Sequence, residues 1–214
     1  MIITETYRKY KTTQQLQLHQ FRVTAVAKQI CDNLSINVAE EAIVKACLLH
    51  DMGNILKFEF SYSSEFFEPE GVGYWKKIKK DFEKKYGQDE HKATLRIAKE
   101  LGASHEVIAC IDNIGFLKIN DNYFSGTLEQ KICNYADMRA SPRGIVSIDE
   151  RLEDGRKRYQ HRKDYFIDLN ERKTIERRLK EIEKEIFGQA KIKPPEITDE
   201  SVKPIIEELK TYQI

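Results

Sequence analysis

The stretch Ala46-Cys47-Leu48-Leu49-His50-Asp51-Met52-Gly53-Asn54 decides how the rest of the chain reads. An apolar run leads into a histidine and an aspartate, the mark of a buried helix that ends by presenting two polar side chains. Adjacent helical positions lie about 100° apart, so both can converge on one point from one rigid segment. An imidazole and a carboxylate suit a hard or borderline divalent metal. Two ligands hold a metal weakly, and alone the pair also reads as an ordinary polar helix end. Its meaning depends on what the remaining chain supplies.

Upstream, Leu16, Val23, Val26, Ala27 and Ile30 recur at near-helical spacing between Gln14 and about Leu34, with Thr12 or Thr13 as the cap. His19 lies on that helix, 31 residues before His50. Downstream, Asn134-Tyr135-Ala136-Asp137-Met138-Arg139-Ala140-Ser141-Pro142 puts Asp137 near the end of another. A lone histidine on an apolar face is ordinarily a satisfied core residue; in this company the ligand reading is favoured. The ordered set His19, His50-Asp51, Asp137, from about residue 16 to about 141, resembles the HD-domain superfamily of metal-dependent phosphohydrolases. Leu48-Leu49-His50-Asp51-Met52-Gly53 is close to the family's usual Leu-Leu-His-Asp-Ile-Gly. The resemblance implies an all-α helical bundle and metal ligands His19, His50, Asp51 and Asp137. It also implies a divalent ion (Mn, Fe, Co, Ni, Zn or Mg) and a small phosphorylated substrate, with a nucleotide foremost.

Length and composition agree. The 214 residues suit one domain with a small appendage, and 33% charged against 40% hydrophobic residues is an ordinary soluble balance. Ten glycines and five prolines favour helices over turn-rich β architecture. A formal charge of +1 provides no global basic field, so nucleic acid is not an expected partner. No apolar run approaches the roughly 20 residues that span a bilayer. The segment from Met1 to Lys9 lacks the apolar centre of a signal peptide. Cys31, Cys47, Cys110 and Cys133 are widely spaced in apolar patterns, as expected of buried reduced thiols. The cytoplasm is the expected compartment, with no membrane partner.

Residues 1–12 read as a polar lead-in with a short helix. Arg22 is three positions after His19 and shares its face; a guanidinium there can grip a phosphate or form a surface ion pair. Asn37 is the expected cap of a helix from about Val38 to Met52, with Gly53 ending it. Asn54 stands where many members of the resembled family carry lysine, and Lys57 is the nearest substitute. Phe58, Phe60, Tyr62, Phe66 and Phe67 form an aromatic cluster, read as core packing ahead of a lid over the site. Tyr74 to Tyr86 reads as a charged helix with Trp75, Ile78 and Phe82 inward.

Gln88 to Leu101 is a further predicted helix, closed by Gly102, and it carries Glu90 and His91. A histidine here resembles the one some superfamily members use for a second metal or for catalysis. The further histidine of two-metal relatives is missing: that region reads Ile111-Asp112-Asn113-Ile114-Gly115. One metal per chain is therefore expected, with His91 as proton donor or phosphate ligand. A second site from His91 with Asp112 or Asn113 stays open. Residues 116–126 read as a polar loop, and Thr127 with Gln130 as a capping box for the helix bearing Asp137. Arg139 and Arg143 flank that aspartate and could attract an anionic substrate.

Residues 1–146 form the expected HD-type domain. Residues 147–214 form a charged helical extension packed on it or on a partner subunit, a route to a homo-oligomer. Ser147 with Glu150 makes a second capping box. Two charged helices follow, to about Arg162 and from about Leu169 to Phe187, the second with a narrow stripe of Ile175, Leu179, Ile182 and Ile186. Pro194-Pro195 breaks the chain before a last helix from Ser201 to Tyr212.

The chemistry follows from phosphate charge. The oxygens of a phosphate ester repel a nucleophile; a divalent cation cancels that charge and lowers the pKa of water from 15.7 toward roughly 7. Asp51 is the ligand best placed to orient the water. Arg22, Lys57, Arg139 and Arg143 are the candidate phosphate contacts. His91 and Glu90 are the candidate proton donors. Two other readings are a two-iron oxygenase on the same fold, which needs more histidines than the sequence places, and a non-catalytic interaction module.

Overall fold

The computed structural model describes residues 1–60, 67–159 and 168–214. Among them the fold is all-α: eleven α-helices and one antiparallel pair of two-residue strands. Helix α1 (Ile3–Lys9) leads into α2 (Gln14–Cys31), which starts where the Thr13 hydroxyl accepts a hydrogen bond from the Leu16 amide. Apolar and small residues on several sides of α2 let it pack against three partners. These are α3 (Glu40–Leu49), α8 (Leu128–Asp137) and α11 (Asp199–Leu209). Helix α3 is itself buried at Ile43, Ala46, Cys47, Leu48 and Leu49, which makes it the central rod of the core. Helix α6 (His105–Asp112) covers its other side.

Helices α4 (Gly71–Tyr86) and α5 (Glu90–Glu100) lie against the 3₁₀ turn Asn54–Lys57 that follows the His-Asp pair. Helix α9 (Ile148–Tyr159) precedes the charged α10 (Leu169–Phe187). The predicted stripe Ile175, Leu179, Ile182 and Ile186 is buried, and α10 packs on α8 and on α7 (Ile119–Ser125). Both capping boxes form, Thr127 with Gln130 and Ser147 with Glu150. All four cysteines are free and buried. No helix among the described residues is long and apolar enough to cross a membrane.

Several local expectations are corrected. Residues 1–12 are not a mere polar lead-in: Ile3, Thr6 and Tyr7 are fully buried, and the Tyr7 hydroxyl donates to the Leu48 carbonyl at 2.8 Å. Asn37 does not cap α3; the helix begins after Ala39, whose amide is met by the Glu129 carboxylate of α8 at 3.3 Å. Residues 116–126 are a 3₁₀ turn and α7, because Ile119 and Asn122 are buried beneath α10. Helix α4 starts at Gly71, three residues before the expected Tyr74. The last helix starts at Asp199, capped by Thr198, and carries Pro204 inside it. Tyr62 and Phe66, and the stretch 160–167 where the first charged helix was expected to end, lie outside the described residues. Of the remaining aromatics, Phe67 is buried with its ring centroid 5.5 Å from that of Phe58 and 4.9 Å from that of Phe60.

Candidate metal centre

Three segments bring the site together. His19 projects from the middle of α2, His50 caps the end of α3 with Asp51 directly after it, and Asp137 is the last residue of α8. His19 Nε2 lies 3.2 Å from Asp137 Oδ1 and 3.6 Å from Asp51 Oδ2. His50 Nε2 lies 3.7 Å from each of the same two oxygens. The imidazole centroids are 5.3 Å apart. Each of the two imidazoles thus faces both carboxylates.

The geometry fits a cation. Ligand atoms about 2.1 Å from a central ion stand roughly 3–4 Å from one another. The four carboxylate-imidazole separations fall in that span, and ligand atoms of His19, His50 and Asp51 all lie within 4.8 Å of one another. A second sign is an orphaned atom. The His50 side chain is 2% exposed, and its Nε2 makes no hydrogen bond, since 3.7 Å is beyond reach of either carboxylate. Its other nitrogen, Nδ1, is 2.7 Å from the Cys47 carbonyl oxygen. A carbonyl only accepts, so Nδ1 carries a hydrogen and Nε2 is the nitrogen left facing the carboxylates, available to a cation once its own proton is displaced. A buried nitrogen held this way and left unpaired is poorly explained as core packing.

The electrostatics favour positive charge at this point. Burial works against a charge on His50, but the Asp51 and Asp137 carboxylates outweigh it and push the imidazole up to about 9. Burial likewise raises the cost of charge on Asp137, yet its contacts with His19 and His50 hold the carboxyl well below the usual range.

A model of the HD domain matches residues 17–123. The chain belongs to the HD-domain family. No curated protein and no solved structure matches it significantly. Within the HD match lie His19, His50 and Asp51; Asp137 lies beyond it and reaches the site through α8. Divalent-metal binding is a property of HD domains, and the His19-His50-Asp51 group is where this one could hold the ion. Among the described residues no other group of three such ligands is found.

The remaining candidates of this HD domain fall into three sets. Around Gly53, Lys57 Nζ meets Glu90 Oε1 at 2.6 Å, and the Gly53 amide donates to Thr94 Oγ1 at 2.9 Å. Gly53 does not act as a left-handed helix terminator, since its φ is −91°. A side chain there would collide with the Glu90 carbonyl and stand 2.9 Å from Ala93 Cβ and Thr94 N. Only a glycine lets the first turn of α5 sit this close to the His-Asp segment. On the same turn, His91 Nε2 is 2.7 Å from Asp112 Oδ1, so that pair is preassembled.

The second set flanks α2 and the strands β1 (Ala140–Ser141) and β2 (Gly144–Ile145). Arg22 Nε lies 3.7 Å from Asp199 Oδ1, and its guanidinium reaches the Pro142 carbonyl at 3.4 Å. Arg143 is exposed in the turn between the strands. The third set is a correction. Arg139 is not a substrate contact: it is 3% exposed, and its guanidinium donates to the Tyr135 hydroxyl and to the carbonyls of Val146, Pro194 and Ile197. A side chain with four internal acceptors is a brace between α8 and the C-terminal segment, not a phosphate hook.

Sequence reading did not single out two residues that touch Asp51 or its neighbours. Gln20 Oε1 accepts from the Asp51 amide at 3.4 Å, and Tyr7 steadies the end of α3. A glutamine next to His19 in an apolar helix, with 0% exposure here, was the available signal for Gln20. Tyr7 had none, because its partner lies 41 residues away.

Proposed function

We propose that this HD domain is a metal-dependent phosphohydrolase, with His19, His50, Asp51 and Asp137 as ligands and a small phosphorylated metabolite, foremost a nucleotide, as substrate. What carries the reading is the approach of two imidazoles to the same two carboxylate oxygens, with His19, His50 and Asp51 grouped closely enough to share an ion and the buried His50 Nε2 unpaired. This donor set suits Mn, Fe, Co, Ni or Zn better than an all-oxygen site would. A divalent cation held there supplies Lewis-acid neutralisation of phosphate charge and an acidified water.

The chain's own groups do the rest. The Asp51 carboxylate, 24% exposed, is the more open of the two carboxylates and orients a water at the mouth of the site. Arg22 and Lys57 each sit beside one carboxylate partner, Asp199 and Glu90, at 3.7 and 2.6 Å. An incoming phosphate competes for these cations and gains a charge-assisted contact from each. His91, one-third exposed and aligned by Asp112, gives a proton to the leaving oxygen, with Glu90 as its neighbour in the same turn.

The test is metal content per chain after purification without added metal, followed by phosphate release over a nucleotide panel. About one transition metal per chain and phosphate release that Asp137→Ala abolishes, with helicity retained, is the expected result. Full activity in Asp137→Ala overturns the reading. Two irons per chain would favour an oxygenase in which His91 and Asp112 are ligands. No uptake of manganese, cobalt or nickel would leave an interaction module.

A further inference from the structure

Asp51 is held from two sides by amide side chains. Asn54, the first residue of the 3₁₀ turn, donates from Nδ2 to Asp51 Oδ2 at 2.9 Å. That oxygen is the one facing His19 and His50. Gln20, fully buried on α2, receives the Asp51 backbone amide. Each amide keeps a buried atom without a partner: Asn54 Oδ1 and Gln20 Nε2 make no hydrogen bond among the described residues. In Asn54 one end aims a carboxylate and the other is left open.

We propose that Asn54 is a positioning residue of the metal centre. Its Nδ2 locks the rotamer of Asp51 so that Oδ2 stays turned to the two imidazoles. The donor also draws charge from Oδ2, so Asn54 tunes how strongly Asp51 grips the ion as well as where it points. The inference rests on the metal-centre reading above and adds to it a residue that is not a ligand.

The test is calorimetric titration of Mn²⁺ into metal-free full-length protein, with the melting temperature of each metal-free sample measured alongside. Asn54→Leu keeps the size of the side chain and deletes both polar atoms. Partners that orient ligands typically change metal affinity 10- to 100-fold. The expected result is Mn²⁺ binding weakened by about that factor while the metal-free melting temperature stays near that of the parent. If Asn54→Leu does not fold, Asn54→Ser, which is small, polar and too short to reach Asp51 Oδ2, is expected to show the same loss. Parent-like Mn²⁺ affinity in a folded variant, with or without a drop in melting temperature, overturns the proposal and leaves the metal centre standing. Failure of the parent protein to bind Mn²⁺ overturns both.

Discussion

The Nδ1 of His50 and the carbonyl oxygen of Cys47 are 2.7 Å apart at the end of α3, and this contact aims the opposite nitrogen at two carboxylates. A ligand aimed in advance loses little freedom when it binds, so cation binding acts directly as stabilisation of the fold. At a Mn²⁺ concentration 100 times its dissociation constant the linkage is worth about 2.7 kcal/mol. For a chain of this size that raises the melting temperature by several degrees. A thermal scan with and without Mn²⁺ is expected to show the rise in the parent and none in His50→Ala. An equal rise in that variant would place the ion elsewhere.

The pH dependence of the metal-free protein follows from the two shifted groups. Asp137 is held low, so its contribution is present above the ordinary carboxylate range and is lost as pH falls through its lowered folded value. His50 is pushed from 6.5 to about 9, so its contribution is complete below 6.5 and is lost as pH rises through about 9. At about 1.4 kcal/mol per pKa unit the alkaline loss is roughly 3 kcal/mol. Urea midpoints are expected to fall between pH 6 and pH 9.5 without metal. Saturating Mn²⁺, which takes the neutral imidazole, is expected to remove that fall; an unchanged fall would count against His50 as a ligand.

Tyr7→Phe removes one hydroxyl and leaves the Leu48 carbonyl unpaired in the core, two residues before His50. The expected cost is about 1–3 kcal/mol. Denaturant midpoints of parent and variant measure it, and equal midpoints would show that the hydroxyl contributes nothing.

Gly53→Ala puts a methyl group into the Glu90 carbonyl and against Ala93 and Thr94. Overpacking of this kind costs about 1–3 kcal/mol. The displaced element is the first turn of α5, which carries Glu90 and His91. Reduced turnover with Mn²⁺ affinity kept is therefore the expected kinetic signature. Parent-like turnover would detach that turn from the chemistry.

Arg139→Lys is expected to behave almost as badly as Arg139→Met. One ammonium cannot serve the Tyr135 hydroxyl and three carbonyls that the guanidinium fork reaches. Leaving such buried acceptors unpaired costs about 1–3 kcal/mol each, readable as a lower unfolding midpoint. A lysine variant as stable as the parent would show that charge alone suffices.

The legible parts of this chain were those whose signal is local. His50-Asp51 at the end of an apolar run, His19 on a helical stripe and Asp137 before a proline-containing turn could each be read within one element, and the structure brings all four together. Both capping boxes and the stripe of α10 were equally local. Three of the misreadings share one cause, a partner far along the chain. Residues 119–125 look polar, and they are helical because α10 covers Ile119 and Asn122. Arg139 beside Asp137 looks like a phosphate contact until the carbonyls of Pro194 and Ile197 arrive, 55 and 58 residues on. The Ala39 amide has Glu129 for a partner, 90 residues away, which made Asn37 unnecessary as a cap.

The Arg139 brace also has a meaning in time. Asp137 stands two residues before an arginine whose carbonyl partners include those of Pro194 and Ile197. During synthesis at about 5–20 residues per second, His19, His50 and Asp51 emerge well before that clasp can close. Bringing residue 139 to residue 197 also means closing a long loop, a step set by loop entropy, not by local helix formation. The brace at the end of α8 is then a late contact of the fold, formed only when the C-terminal segment docks.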